Sequence, residues 1–368
     1  MSSLIGKLSR AFCVCGLAAL AAGGCPAGGG GGGGGTQGPE GPAGPTGPQG
    51  PAGQAGAAGA DGQLRIYGDG SAGAGLIAAN TSWLSGSSPP TNIQFTTFTI
   101  NAGSTLTVPS GTVIRCTGAF TNNGTITVSP GAFGAQRIAY NTSTYEDVLV
   151  PAQPGVTRQA AGCGAVATGA SSIQGGFGAA GLEPLAAREL VLPGTWGGGG
   201  GGSSLGTGGI GGGSFVVIAQ GAIVNVGTIT ASGFGGGMLF VGGGGGGGFI
   251  VLASKASVSN TGTITANGGV GQDGGTGTLA SGGGGGGIIH FLAPSITAGT
   301  TSVLGGTKGA TGPNLSLNPR AAGGGGGACG GNGGIGDSTS DGMTPLGNQQ
   351  DGFAGQVLST LADPTALF

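Results

Sequence analysis

Two hydrophobic patterns alternate along the second half of the chain. One is a Thr-Ile-Thr alternation between glycines, as in GTITASG and GTITANG, and the other is a continuous apolar run, FIVLA, directly after seven glycines. Alternating apolar and threonine positions between turn residues are typical of half-buried β-strands, and a short apolar run is typical of a buried strand. From about Ile93 onward the sequence therefore predicts an all-β domain of short strands.

These strands belong to a repeated unit. Residues 214–233, 248–268 and 287–306 are variants of one another, and glycine runs begin at Gly197, Gly242, Gly282 and Gly323, which are 45, 40 and 41 residues apart. Such a period indicates a solenoid, a propeller or an array, but two short strands and a glycine tract cannot form a four-stranded propeller blade. We expect a right-handed parallel β-helix, in which each coil stacks on the next.

The β-helix predicts which side chains point inward and which point outward. The expected core residues are Ile223, Ile229, Ile264 and Ile296. The threonines expected to face outward are Thr228, Thr230, Thr263 and Thr265.

Glycine supplies 98 of the 368 residues, yet 37% of the chain is hydrophobic and only 6% is charged. Disordered chains are polar and highly charged, so this composition indicates burial. We interpret the glycine tracts as extended polyglycine, packed through backbone hydrogen bonds where a side chain would collide. Glycine loops with partial disorder are the alternative.

The first 24 residues have the three parts of an export signal. Lys7 and Arg10 precede an apolar run at residues 11–22, and small residues lead to Cys25. The run is too short to span a membrane, so residues 1–24 are a predicted signal peptide. The ending LAAGGC resembles the bacterial lipoprotein signal, which implies that Cys25 is lipidated; an ordinary secretory signal is the alternative. Either signal predicts a cell-surface or secreted, extracellular protein.

A collagen-like pattern follows the predicted lipid anchor and glycine tether of residues 25–37. In residues 38–62 glycine occupies every third position, with proline after each of the first five glycines. Only glycine fits at the axis of three polyproline-II chains, so we expect a short triple-helical stalk and a homotrimer. A single extended spacer is the alternative.

The remaining boundaries follow from composition. We expect a junction at residues 63–92, a Gly-rich β-solenoid at 93–335 with a loop insertion at about 134–213, and a C-terminal tail at 336–368. The stretch 93–334 resembles the Gly-rich, β-helix-like segments of bacterial surface and secreted proteins, which often accompany collagen-like stalks. This resemblance implies a collagen-like surface lipoprotein and carries over no catalytic residue.

Of six cysteines, Cys13 and Cys15 lie in the predicted signal peptide and Cys25 is the predicted lipidation site. The remaining three are Cys116, Cys163 and Cys329. An odd number in an oxidising compartment allows at most one disulfide within the chain. Cys163 and Cys329 lie in small-residue loops and are the favoured pair, although sequence alone does not determine the connectivity.

Charged chemistry is scarce. The net charge is −2, from 10 basic and 12 acidic residues, and no basic stripe is present, which disfavours nucleic acid as a partner. General acid–base catalysis depends on side chains such as histidine and carboxylates, and the chain has one histidine and few carboxylates. We therefore expect no enzyme, no catalytic residue and no cofactor.

We place His290 at the position of Ile250 in the preceding repeat, partly exposed or hydrogen-bonded. Residues 268–276 partly match a calcium-binding nonapeptide, which makes Asp273 a weak calcium candidate and leaves no other metal site.

Four aromatic residues are candidates for exposure and sugar stacking, or else for plugs over coil ends: Trp83, Trp196, Tyr140 and Tyr145. Residues 139–151 form the most polar-aromatic segment and the candidate recognition loop, with Tyr140, Tyr145 and Trp196 as possible glycan or partner contacts. Residues 182–190 form a two-turn helix or a loop.

The leading hypothesis is a structural or adhesive cell-surface protein without catalytic activity. The alternatives are a glycan- or receptor-binding fibre-like adhesin and a β-helix polysaccharide lyase or hydrolase.

Overall fold

Twenty-two β-strands and one 3-10 helix form the regular structure of the described residues. The computed structural model describes residues 66–87, 89–141, 146–150, 152–153, 165–166, 173–174, 176–178, 201–202, 207–237, 242–275, 278–312, 322–328, 331–341 and 344–366. The helix covers Pro364–Ala366. The strands, in chain order, are β1 (Ala74–Ile77), β2 (Thr81–Ser82), β3 (Gln94–Phe95), β4 (Thr97–Ile100), β5 (Thr105–Val108), β6 (Thr112–Cys116), β7 (Phe120–Asn122), β8 (Thr125–Val128), β9 (Gln136–Asn141), β10 (Glu146–Val150), β11 (Ala165–Val166), β12 (Ile173–Gln174), β13 (Ser214–Ala219), β14 (Ile223–Asn225), β15 (Thr228–Thr230), β16 (Phe249–Ser254), β17 (Val258–Asn260), β18 (Thr263–Thr265), β19 (Ile288–Leu292), β20 (Ile296–Thr297), β21 (Thr300–Ser302) and β22 (Gln356–Thr360).

Three six-stranded parallel sheets wind around one core. We name them sheet 1 (β22-β19-β16-β13-β6-β3), sheet 2 (β1-β4-β7-β14-β17-β20) and sheet 3 (β2-β5-β8-β15-β18-β21). The chain passes through sheets 1, 2 and 3 in turn and then begins the next coil, so β13, β14 and β15 stack on β6, β7 and β8. The predicted all-β solenoid of parallel strands is therefore confirmed, while its right-handed sense stays a prediction.

The alternating strands place isoleucine inside, as predicted. Ile223, Ile229 and Ile264 are fully buried in the main core, and Ile296 packs against its edge. The threonines on either side of Ile229 and Ile264 are partly exposed. The strand period of two produces this outcome, because neighbouring side chains point to opposite faces of a sheet.

Strands β13, β16 and β19 of sheet 1 are buried on both faces, which explains their continuous apolar sequences. Phe215, Val217 and Leu252 belong to the main core, whereas Val216 and Ile218 belong to a second apolar cluster on the other face. Parallel strands that are covered on both faces have uninterrupted hydrophobic sequences, whereas strands with one exposed face alternate between apolar and polar residues.

A ladder of buried asparagines closes the corner between sheets 2 and 3. Asn122 donates from Nδ2 to Asn225 Oδ1 at 2.7 Å, and Asn225 donates from Nδ2 to Asn260 Oδ1 at 2.7 Å. Asn260 in turn donates to the carbonyl of Ala298, and all three asparagines are fully buried. Each side-chain amide thus provides a hydrogen-bond partner for the next, and buried polar groups in a stable interior require such partners.

The glycine tracts between coils pack into a polyglycine bundle. We define this bundle as residues 201–202, 207–213, 233–237, 242–248, 268–271, 282–287, 305–306, 323–328, 331–336 and 350–355. A Cβ added to Gly244, Gly245 or Gly284 would overlap the backbone carbonyl carbon and oxygen of a neighbouring tract. The interpretation of packed polyglycine is confirmed for these residues, because no side chain fits between the tracts.

Hydrogen bonds in the polyglycine bundle repeat every three residues. Gly244 and Gly247 donate to one neighbouring tract, whereas Gly245 and Gly248 donate to another. The four bonds are Gly244 N to Gly282 O (3.0 Å), Gly247 N to Gly285 O (2.7 Å), Gly245 N to Phe234 O (2.9 Å) and Gly248 N to Ala231 O (2.8 Å). A period of three is that of the polyproline-II helix, whose backbone groups all point outward and are free to bond neighbours.

The β-helix begins earlier and ends later than the sequence predicted. Strands β1 and β2, in the predicted junction 63–92, pair with β4 and β5. Strand β22, in the predicted tail 336–368, pairs with β19 and extends sheet 1. Trp83, only 7% exposed, lies edge-on to Phe98, with ring centroids 5.9 Å apart, and so plugs the first coil instead of being exposed.

Candidate functional site

The outer face of sheet 3 carries the most regular array of polar side chains among the described residues. We call it the threonine face; it consists of Ser82, Thr105, Thr107, Thr125, Thr127, Thr228, Thr230, Thr263, Thr265, Thr300 and Ser302. The strand register aligns these residues into two columns. One column runs Thr105, Thr125, Thr228, Thr263 and Thr300, and the other runs Ser82, Thr107, Thr127, Thr230, Thr265 and Ser302.

Sheet geometry fixes the spacing of the threonine face. Neighbouring strands lie about 4.8 Å apart, and alternate residues on one strand lie about 6.7 Å apart. Threonine is branched at Cβ, so its χ1 angle is restricted. Within the second column, Thr265 Oγ1 donates to Thr230 Oγ1 at 3.0 Å, which further limits rotation. The face is therefore a rigid lattice of hydroxyl and methyl groups.

The threonine face is electrically neutral. None of the residues in the six strands of sheet 3 is charged. An open pocket of about 340 Å³ lies at its N-terminal edge, lined by Asn80, Thr81, Ser82, Thr105 and Thr107. Hydroxyl groups donate and accept hydrogen bonds but do not ionise near neutral pH. The face is thus suited to binding a neutral partner rather than to acid–base chemistry.

His290 lies on sheet 1, one position away from the place predicted. It pairs with Val251, not Ile250, and on its other side with Leu358 of β22. The side chain is 4% exposed rather than partly exposed; Nε2 lies 2.9 Å from Thr360 Oγ1, and Nδ1 has no hydrogen-bond partner. Burial lowers the pKa of His290 below its ordinary value of 6.5, because the charged form loses hydration.

We expect His290 to make the fold less stable in mild acid. In the unfolded chain the imidazole binds a proton below about pH 6.5, whereas in the folded chain it stays neutral to lower pH. The free energy of unfolding therefore falls as the pH drops through that value toward the lowered folded pKa. Chemical denaturation between about pH 8 and about pH 5 measures this slope.

The chain contains one histidine, so the slope has a direct control. His290→Leu should remove the pH dependence across this window. Thr360→Val should keep the pH dependence while removing the hydrogen-bond partner. A slope that persists unchanged in His290→Leu would rule out His290 as its source.

The other described residues that were considered for reactivity or metal binding are Cys116 and Asp273. Cys116 is a free, buried thiol on sheet 1, and burial raises its pKa to about 12, which makes it unreactive. Asp273 is exposed and accepts a hydrogen bond from Ala310 N at 2.7 Å. Among the described residues, no three His, Cys, Asp or Glu side chains come together as metal ligands. Asp273 therefore has no companion ligands there.

Within the predicted recognition segment 139–151, residues 139–141 and 146–150 belong to the antiparallel hairpin strands β9 and β10. Strands β9 and β10 pair outside the three parallel sheets, with a register shift between Val148 and Leu149. Tyr140 lies in β9 opposite Asp147. Several predicted positions lie outside the described residues, and their roles stay predictions: Cys25, Tyr145, Cys163, Trp196, Cys329 and residues 1–62 and 182–190.

Sequence reasoning placed four threonines outward but missed the continuous threonine face. The signal was the Thr-X-Thr spacing, which recurs as TLT at 105–107, TIT at 125–127 and TTS at 300–302. Only the register shows that these motifs are neighbours in space, because Thr127 and its partner Thr230 are 103 positions apart along the chain.

In comparisons with known proteins, no family model, curated protein or solved structure matches this chain. Among the described residues, no helix is long and apolar enough to cross a membrane.

Proposed function

We propose that this chain is a structural or adhesive cell-surface protein without catalytic activity. A lipid at Cys25 anchors it, a collagen-like trimeric stalk at residues 38–62 extends it from the membrane, and the Gly-rich β-helix is the part presented. We propose no cofactor and no nucleic-acid partner. The bacterial lipoprotein resemblance of LAAGGC supports the anchor, and the glycine period supports the stalk.

The observation that carries the proposal is the polyglycine bundle joined to the parallel sheets. Its tracts are bonded to neighbours on several sides, for example Gly209 N to Gly243 O and Gly326 N to Gly244 O at 2.8 and 2.7 Å. This cross-linking by backbone alone produces a rigid body with three six-stranded sheets. Rigidity and surface area serve presentation and adhesion, whereas catalysis needs convergent reactive groups.

The hairpin of β9 and β10 favours a second candidate, a glycan- or receptor-binding fibre-like adhesin. The hairpin departs from the parallel winding between β8 and β13, and it carries the polar-aromatic sequence AYNTSTYEDVLV. Loops that a rigid scaffold presents often carry binding function. In this case Tyr140, Tyr145 and Trp196 are the residues to substitute.

Anchoring at Cys25 is tested directly by replacing it with serine. We expect the wild-type chain to incorporate labelled palmitate and to be cut by protease added to intact cells. We expect Cys25→Ser to lose the label and to appear in the medium, because the Sγ atom that carries the lipid is absent. Cells with the wild-type chain should adhere to surfaces more than cells with Cys25→Ser.

Cys13→Ser is the matched control, because Cys13 lies in the predicted signal peptide. It should keep the label, the surface exposure and the adhesion. Equal labelling of wild type and Cys25→Ser would contradict the anchor. Equal adhesion of cells with and without the surface-exposed chain would contradict the adhesive role.

A further inference from the structure

The threonine face differs from every other described face of the β-helix. In sheet 1, strands β13, β16 and β19 are buried on both faces. The outward column of sheet 2 is irregular in chemistry, since the register places Leu76, Thr99, Thr121, Val224, Ser259 and Thr297 in one row. Among the described residues, only sheet 3 presents hydroxyl side chains in two columns over five successive coils, with threonine at all five positions of the first column and at four of the five in the second. A feature repeated in this way points to a partner that is itself periodic.

The periodicity identifies the kind of partner. The five coils from Thr105 to Thr300 repeat at about 4.8 Å, and the two columns lie about 6.7 Å apart. Oxygen atoms on the prism faces of hexagonal ice repeat on closely similar distances in two perpendicular directions. Each threonine supplies one hydroxyl that donates and accepts, and one methyl group beside it. Water can therefore bond to the hydroxyls while it is ordered between the methyl groups.

Charge complementarity supports the same partner. Ice is uncharged, and a charged side chain would hold its own hydration shell against the ice lattice. The strands of sheet 3 contain no charged residue. A neutral and regular face meets the requirements of an uncharged crystalline surface.

The interior supports the rigidity that lattice matching requires. Behind one edge of the threonine face, the buried asparagine ladder fixes coil-to-coil register at Asn122, Asn225 and Asn260. Fully buried Ile126, Ile229 and Ile264 lie between the two columns on the inner side. A pre-ordered face loses little conformational freedom on binding, so weak contacts at many hydroxyls can add up.

We propose that the threonine face binds ice. The ligand is the surface of the crystal, held by ordered water at the two hydroxyl columns. This inference does not depend on the anchor at Cys25, because ice adsorption is a property of the purified chain.

The test measures thermal hysteresis and adsorption to a growing ice crystal with the purified full-length chain. Thr228→Tyr places a bulky ring in the middle of the first column, and Thr125→Tyr repeats the change one coil away. The matched control is Thr121→Tyr, which makes the same substitution at a partly exposed position on sheet 2. Circular dichroism checks that each variant is folded.

We expect hysteresis and adsorption in the wild type and in Thr121→Tyr, and loss of both in folded Thr228→Tyr or Thr125→Tyr. A wild-type chain without either activity would overturn the proposal. Activity retained in both sheet 3 variants, or lost equally in folded Thr121→Tyr, would also overturn it. Adsorption to crystalline cellulose without adsorption to ice, lost in Thr228→Tyr, would assign the face to a polysaccharide instead.

Discussion

Gly245→Ala should lower the free energy of unfolding by about 3 kcal/mol or more. The new Cβ would overlap the carbonyl of Ile210 and lie 2.8 Å from Gly211 N. The Ile210 carbonyl cannot move aside freely, because it accepts a hydrogen bond from Phe234 N at 2.8 Å. Gly245 itself donates to Phe234 O and accepts from Gly269 N, so a shift of Gly245 disturbs three tracts. Chemical denaturation followed by circular dichroism measures the loss.

Gly275→Ala is the matched control for this experiment. Among the residues that the structure describes, a Cβ on Gly275 meets only Thr278 Oγ1, at 3.4 Å, which is ordinary contact, and the φ of Gly275 is not positive. We expect a change of less than about 1 kcal/mol, since a methyl group fits there. Equal stability of Gly245→Ala and the wild type would show that the tract is a loop rather than part of a packed bundle.

Asn225→Leu should have the next largest effect, a loss of about 2–5 kcal/mol in the free energy of unfolding. Leucine is similar in volume but has no polar atom. The substitution leaves Asn122 Nδ2 without its partner at 2.7 Å and Asn260 Oδ1 without its donor. Both atoms stay buried in the core corner, where water cannot replace the lost hydrogen bonds. The same denaturation measurement applies.

Asn123→Leu is the control, with the same substitution at a partly exposed position in a neighbouring coil. We expect a change within about 0.5 kcal/mol, as is usual for surface substitutions. If Asn225→Leu were no more destabilising than Asn123→Leu, the asparagine ladder would not contribute to coil stacking in the way we infer.

Much of the β-helix was predictable because its determinants are local. The alternation at Thr228–Thr230 fixes which face is inside, and the glycine-run spacing shows that the pattern repeats. The packing of the glycine tracts was predictable for a similar reason. Glycine runs recur directly beside apolar strands in a chain with few charges, which indicates that these runs are packed against the rest of the fold. These signals lie within one coil or between adjacent coils.

The register of His290 was not predictable from the apolar pattern. Both faces of sheet 1 are hydrophobic, so a slip of one residue between FIVLA and IIHFL leaves the pattern equally apolar. The pairing of Phe249 with Ile288, each directly after its glycine run, determines the true register. Strand β22 was missed because its partner β19 is separated from it by residues 293–355, and QVLST lacks the features of the other repeats.

The polyglycine bundle also determines how this gene can vary. Any amino acid that replaces glycine adds at least a Cβ, and at positions such as Gly244, Gly284 and Gly306 that atom has no space. Missense changes in these codons should therefore be removed by selection, while the exposed positions of the sheets remain open to change. The stretch of lowest sequence complexity is thus the one in which a mutation is least tolerated.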